Sequence, residues 1–173
     1  MPLTPEELAG ITAGTLGHYE RHAQQFRERT WDHDVRQNID ALLRHVSAAP
    51  PLRILDFGCG PGRDLQAFQR LGHEPTGLEG SAALAAMARE ATGCEVLEQN
   101  FLSLNLPAEY FDGVYANASL FHVPAQELPG VLRDVRHALG EDAAVLVRGR
   151  LAQEMAQPAE AVHARQTGTA LQW

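Results

Sequence analysis

The residues best suited to chemistry lie in a glycine-rich run in the first half of the chain. Gly58, Gly60 and Gly62 follow an apolar run at 52–57, which predicts a β-strand, and precede a segment of helical spacing that extends to Leu71. Glycine allows the backbone to turn tightly and to approach a ligand closely, and the first turn of a helix offers free N–H groups. The strand, the loop and the helix together predict a cradle for a cofactor.

An acidic residue ends the next predicted strand. Glu79 closes the strand at 74–79 and stands 21 residues after Gly58. A carboxylate at this distance from a glycine loop is typical of one that accepts hydrogen bonds from ribose hydroxyls. The loop and the acid therefore predict a cofactor of the adenosine type, which leaves a dinucleotide and S-adenosylmethionine as alternatives.

Three features of the glycine run favour S-adenosylmethionine. The third glycine, Gly62, comes too early for the spacing of a dinucleotide fingerprint. Pro61 lacks the N–H group that a pyrophosphate would use. Asp56, two residues before Gly58, would repel a pyrophosphate but suits a ligand that carries an ammonium and a sulfonium.

The run at 54–64 resembles the first motif of the class I S-adenosylmethionine-dependent methyltransferases. Three further stretches agree in order and spacing with the acidic ribose turn, the adenine-side loop and the fourth-strand motif: 77–81, 99–104 and 111–122. The resemblance covers residues 18–149 and is strongest to small bacterial members that act on small molecules. It implies S-adenosylmethionine as the cofactor, S-adenosylhomocysteine as the product, and direct methyl transfer to a small-molecule acceptor.

The resemblance also implies roles for individual residues. The residues expected to contact the cofactor, from its methionine end to its adenine, are Asp56, Gly58, Cys59, Gly60, Gly62, Arg63, Asp64, Ala116 (through its backbone), Asn117, Glu79, Gly80, Ser81, Asn100 and Phe101. Tyr19 lies where the family's first helix often covers the cofactor, although packing against Phe26 is an alternative. The family often has Asp at the position of Asn100. We therefore expect adenine binding to be weaker here but not lost, because an amide oxygen still accepts a hydrogen bond.

His122 is the candidate catalytic residue. An imidazole titrates near neutral pH and can take a proton from a substrate hydroxyl. The alternative is a polar residue that only lines the pocket or begins a helix. His18 and His22 have a spacing that can bind a metal, but no third ligand lies near them in the sequence, so we expect no metal site.

The alternation of strands and helices predicts an α/β fold with a Rossmann-like, doubly wound, mostly parallel sheet. We expect a single domain with N-terminal helices at 1–50 that cover the cofactor and substrate, a cofactor-binding core at 51–149, and an atypical tail at 150–173. The tail lacks the alternation of the family's last strands. The fifth strand is therefore expected to be an exposed edge. Three explanations stay open: a truncated chain, a changed reading frame that replaced the C-terminus, or a homodimer that covers this edge.

Composition narrows the function further. The formal net charge is -8 and all 14 basic residues are Arg, which argues against nucleic acid and membrane partners and excludes lysine-based chemistry. Two cysteines and the absence of a signal-like N-terminus predict a cytoplasmic protein. An S-adenosyl-ligand-binding protein without turnover and a dinucleotide oxidoreductase remain the competing functions.

Overall fold

A computed structural model describes residues 2–149 and the strand at 169–172. In these ranges the strands are β1 (Arg53–Phe57), β2 (Glu74–Glu79), β3 (Val96–Glu98), β4 (Phe111–Asn117), β5 (Leu139–Arg148) and β6 (Thr169–Gln172). They form one sheet in the order β3-β2-β1-β4-β5-β6. The first five strands run parallel, and β6 pairs antiparallel with β5. The prediction of a doubly wound, mostly parallel sheet is confirmed.

The helices are α1 (Pro5–Thr30), α2 (Arg36–Leu43), α3 (Arg63–Arg70), α4 (Ala82–Thr92) and α5 (Leu128–Ala138), with a 3₁₀ turn at Leu120–His122. The side chains of β1 alternate between the two faces of the sheet, as a strand requires. Leu55 and Phe57 pack in the cluster that contains α5, whereas Ile54 packs in the cluster that contains α2 and Phe68 of α3. None of the helices in the described ranges is long and apolar enough to cross a membrane.

Helix α1 begins with a complete capping box. The Thr4 hydroxyl accepts from the Glu7 amide, and the Glu7 carboxylate accepts from the Thr4 amide. The helix continues to Thr30 through a residue with non-helical backbone angles, His22. Of its 26 residues, Ala23 is the one that is buried, so α1 lies on the surface and not within the core.

The prediction of an exposed fifth strand is wrong. Residues 169–172 form β6, whose register places Leu171 opposite Val145, so the outer edge of β5 is paired. An antiparallel neighbour supplies the backbone partners that a free edge would lack. A homodimer through a free β5 edge therefore loses its structural basis. The rest of the tail, 150–168 and Trp173, lies outside the described residues.

Candidate functional site

The glycine loop after β1 has a conformation that only glycine adopts without strain. The amides of Gly58 and Cys59 both donate to the Leu78 carbonyl on the neighbouring strand, over 2.8 and 3.0 Å. Gly58 has a φ of 79°, and a Cβ at this position would overlap the Cβ of Ser119. Gly62, with a φ of 95°, is the N-cap of α3. The loop is thus shaped by backbone bonds within the fold.

Glu79 joins the glycine loop to the turn after β2. One carboxylate oxygen accepts from the Gly60 amide at 2.9 Å, and the other accepts from the Ser81 amide at 2.9 Å. Burial raises the pKa of Glu79, while the backbone hydrogen bonds from Ser81, Gly60 and Gly80 act in the opposite direction. The acid predicted to bind ribose therefore also organises the two loops that a cofactor must contact.

Asp56 lies beneath the loop and is almost completely buried. Its Oδ2 atom has no hydrogen-bond partner among the described residues. Burial raises the pKa of Asp56 well above its ordinary value, the charges of Asp64 and Glu79 raise it further, and Arg63 opposes them. A buried, unpartnered carboxyl oxygen next to other acids is a place that favours a cation.

Arg63 and Asp64 form a bidentate pair at the start of α3. The two N–H···O distances are 2.6 and 3.0 Å, and a third guanidinium N–H donates to the Thr30 carbonyl at the end of α1. The amide of Asn117 donates to Asp64 at 3.3 Å and accepts from Asn38 at 3.3 Å. This network ties α1, α2, α3 and β4 together around one cavity.

Two cavities lie along the ends of the strands. The larger has a volume of about 400 Å³, and its lining includes the glycine loop, Asp64 and Asn117. The smaller, of about 40 Å³, is lined by Glu79, Asn100, Phe101 and His122 together with residues of α1. Residues from five separate parts of the chain thus meet in one region of the sheet edge.

Helix α1 is attached across this region by side chains of adjacent residues. The Tyr19 hydroxyl lies 3.0 Å from Nε2 of His122. The Glu20 carboxylate accepts from the Ser81 hydroxyl at 2.7 Å and from the Ala83 amide at 3.0 Å, which adds a second cap to α4. These contacts hold α1 beside both cavities, since residues of this helix line each of them.

Comparison with known proteins identifies the family to which this site belongs. Residues 54–142, about half of the chain, match the family described as the methyltransferase domain. The chain belongs to the methyltransferase domain family. It is a class I member, and S-adenosylmethionine is the cofactor, which confirms that prediction and disfavours the dinucleotide. The matched range includes the glycine loop, Glu79 and the whole of α5.

Two curated relatives show the range of similarity. The malonyl-[acyl-carrier protein] O-methyltransferase of Enterobacter lignolyticus is 30% identical over 120 residues, which cover 69% of this chain and 44% of that protein. The trans-aconitate 2-methyltransferase of Yersinia pestis is 30% identical over 101 residues, covering 52% of this chain and 39% of that protein. The chain spans between 30% and 55% of the length of the first three curated relatives that it matches.

A solved structure has the same fold. The 1,6-didemethyltoxoflavin-N1-methyltransferase of Burkholderia thailandensis, crystallised with its substrate and S-adenosylhomocysteine, superposes with a TM-score of 0.66 at 22% identity. The superposition covers 85% of this chain and 65% of that one. At this level of identity the likeness establishes the fold and carries no residue role.

The site of this methyltransferase-family chain is chemically suited to S-adenosylmethionine. The ligand carries a sulfonium and an ammonium, and the buried carboxyls of Asp56, Asp64 and Glu79 surround the glycine loop. The backbone at Gly58 leaves no room for a side chain, since Ser119 fills the space that a Cβ would need. Charge and shape thus agree with the cofactor of the family.

Most of the residues predicted from the sequence come together at the two cavities. Those that line one or the other are Tyr19, Gly58, Cys59, Gly60, Arg63, Asp64, Glu79, Asn100, Phe101, Asn117 and His122. The side chain of Ala116 lies in the core cluster beside α5, so the contact expected from its backbone stays a prediction, and its neighbour Ala118 lines the larger cavity. Ser81 caps α4 through its hydroxyl, and Gly80 lies against Leu16 of α1.

Asn100 and His122 have partners that restrict what each can do. Oδ1 of Asn100 accepts from the Leu102 amide at 2.9 Å, which fixes the direction of the side chain. A carbonyl oxygen has a second lone pair, so acceptance of a hydrogen bond from adenine stays a prediction. Burial lowers the pKa of His122, which favours a neutral ring that accepts from the Tyr19 hydroxyl.

Three contributors to the site were not predicted. Glu20, Asn38 and Ser119 act through partners distant in the chain, namely Ser81, Asn117 and the Phe57 carbonyl. A single sequence carries no spacing signal for such pairs. Their polar side chains on otherwise helical or turn segments are equally typical of a solvated surface.

Proposed function

We propose that this protein transfers a methyl group from S-adenosylmethionine to a small-molecule acceptor by direct displacement. The observation that carries the proposal is the position of Glu79, which lines the smaller cavity and whose carboxylate joins the β2 turn to the glycine loop that lines the larger one. The family match supplies the cofactor. Two relatives, named for malonyl-[acyl-carrier protein] and trans-aconitate, support a small acceptor or a small group on a carrier.

The cofactor contacts follow from the two cavities. Its methionine end is assigned to the larger cavity, beside Gly58, Gly60 and Asp64, and its adenosine to the smaller cavity, beside Glu79 and Phe101. At about 40 Å³ the smaller cavity holds little more than a single water's share of liquid volume, roughly 30 Å³. We therefore propose that α1 shifts outward when the adenosine binds.

The residues of the chain act mainly by positioning. When bound, S-adenosylmethionine supplies a methyl group on a sulfonium, which is already a good leaving group. The cavity holds the acceptor in line with that group and excludes water, and positioning of this kind can supply roughly 7–11 kcal/mol of the barrier. For a hydroxyl acceptor, we assign His122 the role of base: the acceptor O–H takes the place of the Tyr19 hydroxyl at Nε2, and the ring keeps the proton that the acceptor oxygen loses on methylation.

The proposal is tested in two steps on the full chain. Calorimetric titration with S-adenosylhomocysteine should give a dissociation constant near or below the micromolar range, about -8 kcal/mol, and NAD should give no heat. Transfer of labelled methyl from S-adenosylmethionine to a panel of acceptors then measures turnover. Binding without transfer to any acceptor would favour the S-adenosyl-ligand-binding protein, and a response to NAD alone would overturn the proposal.

Other features predicted from the sequence keep the status of proposals. These are the division into a covering segment at 1–50, a core at 51–149 and a tail at 150–173, the cytoplasmic location and the bacterial origin. The absence of a nucleic acid partner and of a membrane partner belongs with them, supported by the formal net charge of -8.

A further inference from the structure

One side of helix α1 lines both cavities. Thr12, Thr15 and Leu16 line the smaller cavity, and Tyr19 lines the larger one. Successive members of this set are one to three residues apart and recur at helical spacing, so they share one side of the helix. The backbone of α1 stays helical until His22, so these side chains belong to one continuous helical segment. A displacement of α1 at the smaller cavity therefore also displaces Tyr19.

The Tyr19 hydroxyl occupies the nitrogen that a base needs. It lies 3.0 Å from Nε2 of His122, and the two rings meet edge to face with their centroids 5.3 Å apart. Burial lowers the pKa of His122, while burial and the charge of Glu79 raise the pKa of Tyr19, so the hydroxyl keeps its proton and donates in this hydrogen bond. A neutral imidazole has one nitrogen that accepts. His122 therefore cannot take a proton from another molecule while Tyr19 is bound to it.

The part of the smaller cavity that belongs to the sheet is firmly held. The Glu79 carboxylate is fixed by the amides of Gly60 and Ser81, and the ring of Phe101 packs on Phe57 of β1 with centroids 4.6 Å apart. At about 40 Å³ the cavity is far too small for the adenosine assigned to it. The space for adenosine must come from the helix, whose attachment is made by surface side chains.

We infer that Tyr19 blocks His122 in the free protein and that cofactor binding releases it, so that the methyl acceptor binds after the cofactor. This inference rests on the proposed function, because it concerns the cofactor and the base of the same site. No covalent bond of Tyr19 breaks: its hydroxyl keeps its proton, and Nε2 of His122 becomes free to take the proton of the acceptor. Tyr19 is then a positioning residue, which acts through His122.

The substitution Tyr19→Phe separates the block from the packing of the ring. Phenylalanine keeps the ring contacts with Phe26 and His122 but lacks the hydroxyl. Cofactor binding then no longer breaks a hydrogen bond, so calorimetry should show S-adenosylhomocysteine binding about two- to tenfold more tightly than to the unmodified chain. Equal or weaker binding overturns the inference, and weaker binding would make the hydroxyl a cofactor contact instead.

A matched tyrosine serves as the control. Tyr110 is exposed and lines neither cavity, so Tyr110→Phe should bind S-adenosylhomocysteine as the unmodified chain does. A similar gain in affinity in Tyr110→Phe would show that the effect does not come from the hydroxyl at His122, and would contradict the inference.

Nuclear magnetic resonance tests the release at the nitrogen itself. At pH 8 the ring of His122 is neutral, because burial lowers its pKa from 6.5, and the nitrogen chemical shift of Nε2 reports whether this atom accepts a hydrogen bond. S-adenosylhomocysteine should move this signal in the unmodified chain toward its position in free Tyr19→Phe, and should move it less in the variant. Equal movement in both proteins contradicts the inference. Failure of S-adenosylhomocysteine to bind the unmodified chain contradicts the proposed function instead, so the two failures are distinguishable.

Discussion

The glycine loop and helix α1 meet at the same cavities but are held there by different kinds of interaction. The loop is fixed by backbone hydrogen bonds from Gly58 and Cys59 to a neighbouring strand, and it continues β1, whose Leu55 and Phe57 are fully buried. Helix α1 is attached by side chains, and only Ala23 of its residues is buried. One side of the site is therefore part of the core, and the other can detach without unfolding the protein.

The difference has a functional use. A cofactor enclosed by both regions could not enter unless one of them moved, and the weaker attachment of α1 supports the proposal that this helix shifts. Its side-chain contacts, Tyr19 with His122 and Glu20 with Ser81, lie immediately before the non-helical residue His22. A change of direction at that residue would lift both contacts together.

The largest effect is expected from Gly58→Ala. The substitution introduces a Cβ that overlaps Ser119 and imposes a φ of 79° on a residue with a side chain. We expect a loss of about 2–5 kcal/mol in the free energy of unfolding, measured by urea denaturation, and loss of S-adenosylhomocysteine binding. Gly72→Ala is the control, because Gly72 has a φ of 83° but open space around it; it should cost only about 1–2 kcal/mol. Equal costs would show that overlap plays no part.

Glu79→Gln should have the next largest effect. An amide keeps one acceptor but turns an NH₂ group toward either the Gly60 or the Ser81 amide, which leaves a buried donor unpaired. The expected cost is about 1–3 kcal/mol of stability, with at least about tenfold weaker S-adenosylhomocysteine binding by calorimetry. Glu98→Gln is the control, since Glu98 also ends a strand but is exposed. Unchanged cofactor affinity in Glu79→Gln would contradict the assignment of this acid.

Glu20→Gln should change the attachment of α1 more than the stability of the core. The lost charge weakens the bonds from Ser81 and Ala83, at a cost of about 1 kcal/mol or less. Hydrogen exchange in α1 should increase and S-adenosylhomocysteine should dissociate faster, while exchange in the central strands stays the same. Glu28→Gln, on the exposed side of the same helix, should leave both rates unchanged.

Low pH should weaken the attachment of α1 in the same way as Glu20→Gln. The pKa of Glu20 is lowered by its hydrogen bonds with the Ala83 amide and the Ser81 hydroxyl, so their stabilisation is present above the unfolded value of 4.5. It is lost as the pH falls through the lower folded value. Exchange in α1 should therefore rise below pH 4.5 in the unmodified chain and change less in Glu20→Gln, and an equal rise in both would contradict the attachment.

The smallest effect concerns His122. Burial lowers the pKa of this ring below its ordinary 6.5, so the unfolded chain takes up its proton first as the pH falls. Stability from this residue is present above pH 6.5 and is lost as the pH falls through the folded value. The melting temperature should fall less between pH 7 and 5.5 in His122→Gln, which keeps an acceptor for Tyr19 but does not titrate. His137→Gln, on the surface of α5, is the control: its melting temperature should fall as much as that of the unmodified chain.

The strands and the glycine loop could be predicted because their signals are local. The strand at 74–79 is observed as predicted, and the strand predicted at 52–57 differs from β1 by one residue at one end. Apolar runs bounded by glycine have few alternatives in an α/β chain. Of the residues that line the cavities, those that belong to these motifs could be predicted from the sequence.

The errors occurred where the chain pairs with distant segments. β6 is a pairing of 169–172 with β5, and the alternation of a four-residue strand is too short to be recognised in advance.

By itself the sequence determined the cofactor loop, the acid that follows it and the order of strands and helices, because backbone conformation and hydrophobic periodicity act over a few residues. Only the tertiary structure decided that Glu79 binds both loops, that α1 is attached through Tyr19 and Glu20, and that Phe121 lines the larger cavity. These features depend on contacts between segments about 20 to 100 residues apart, whose geometry is set by the packing of the whole sheet.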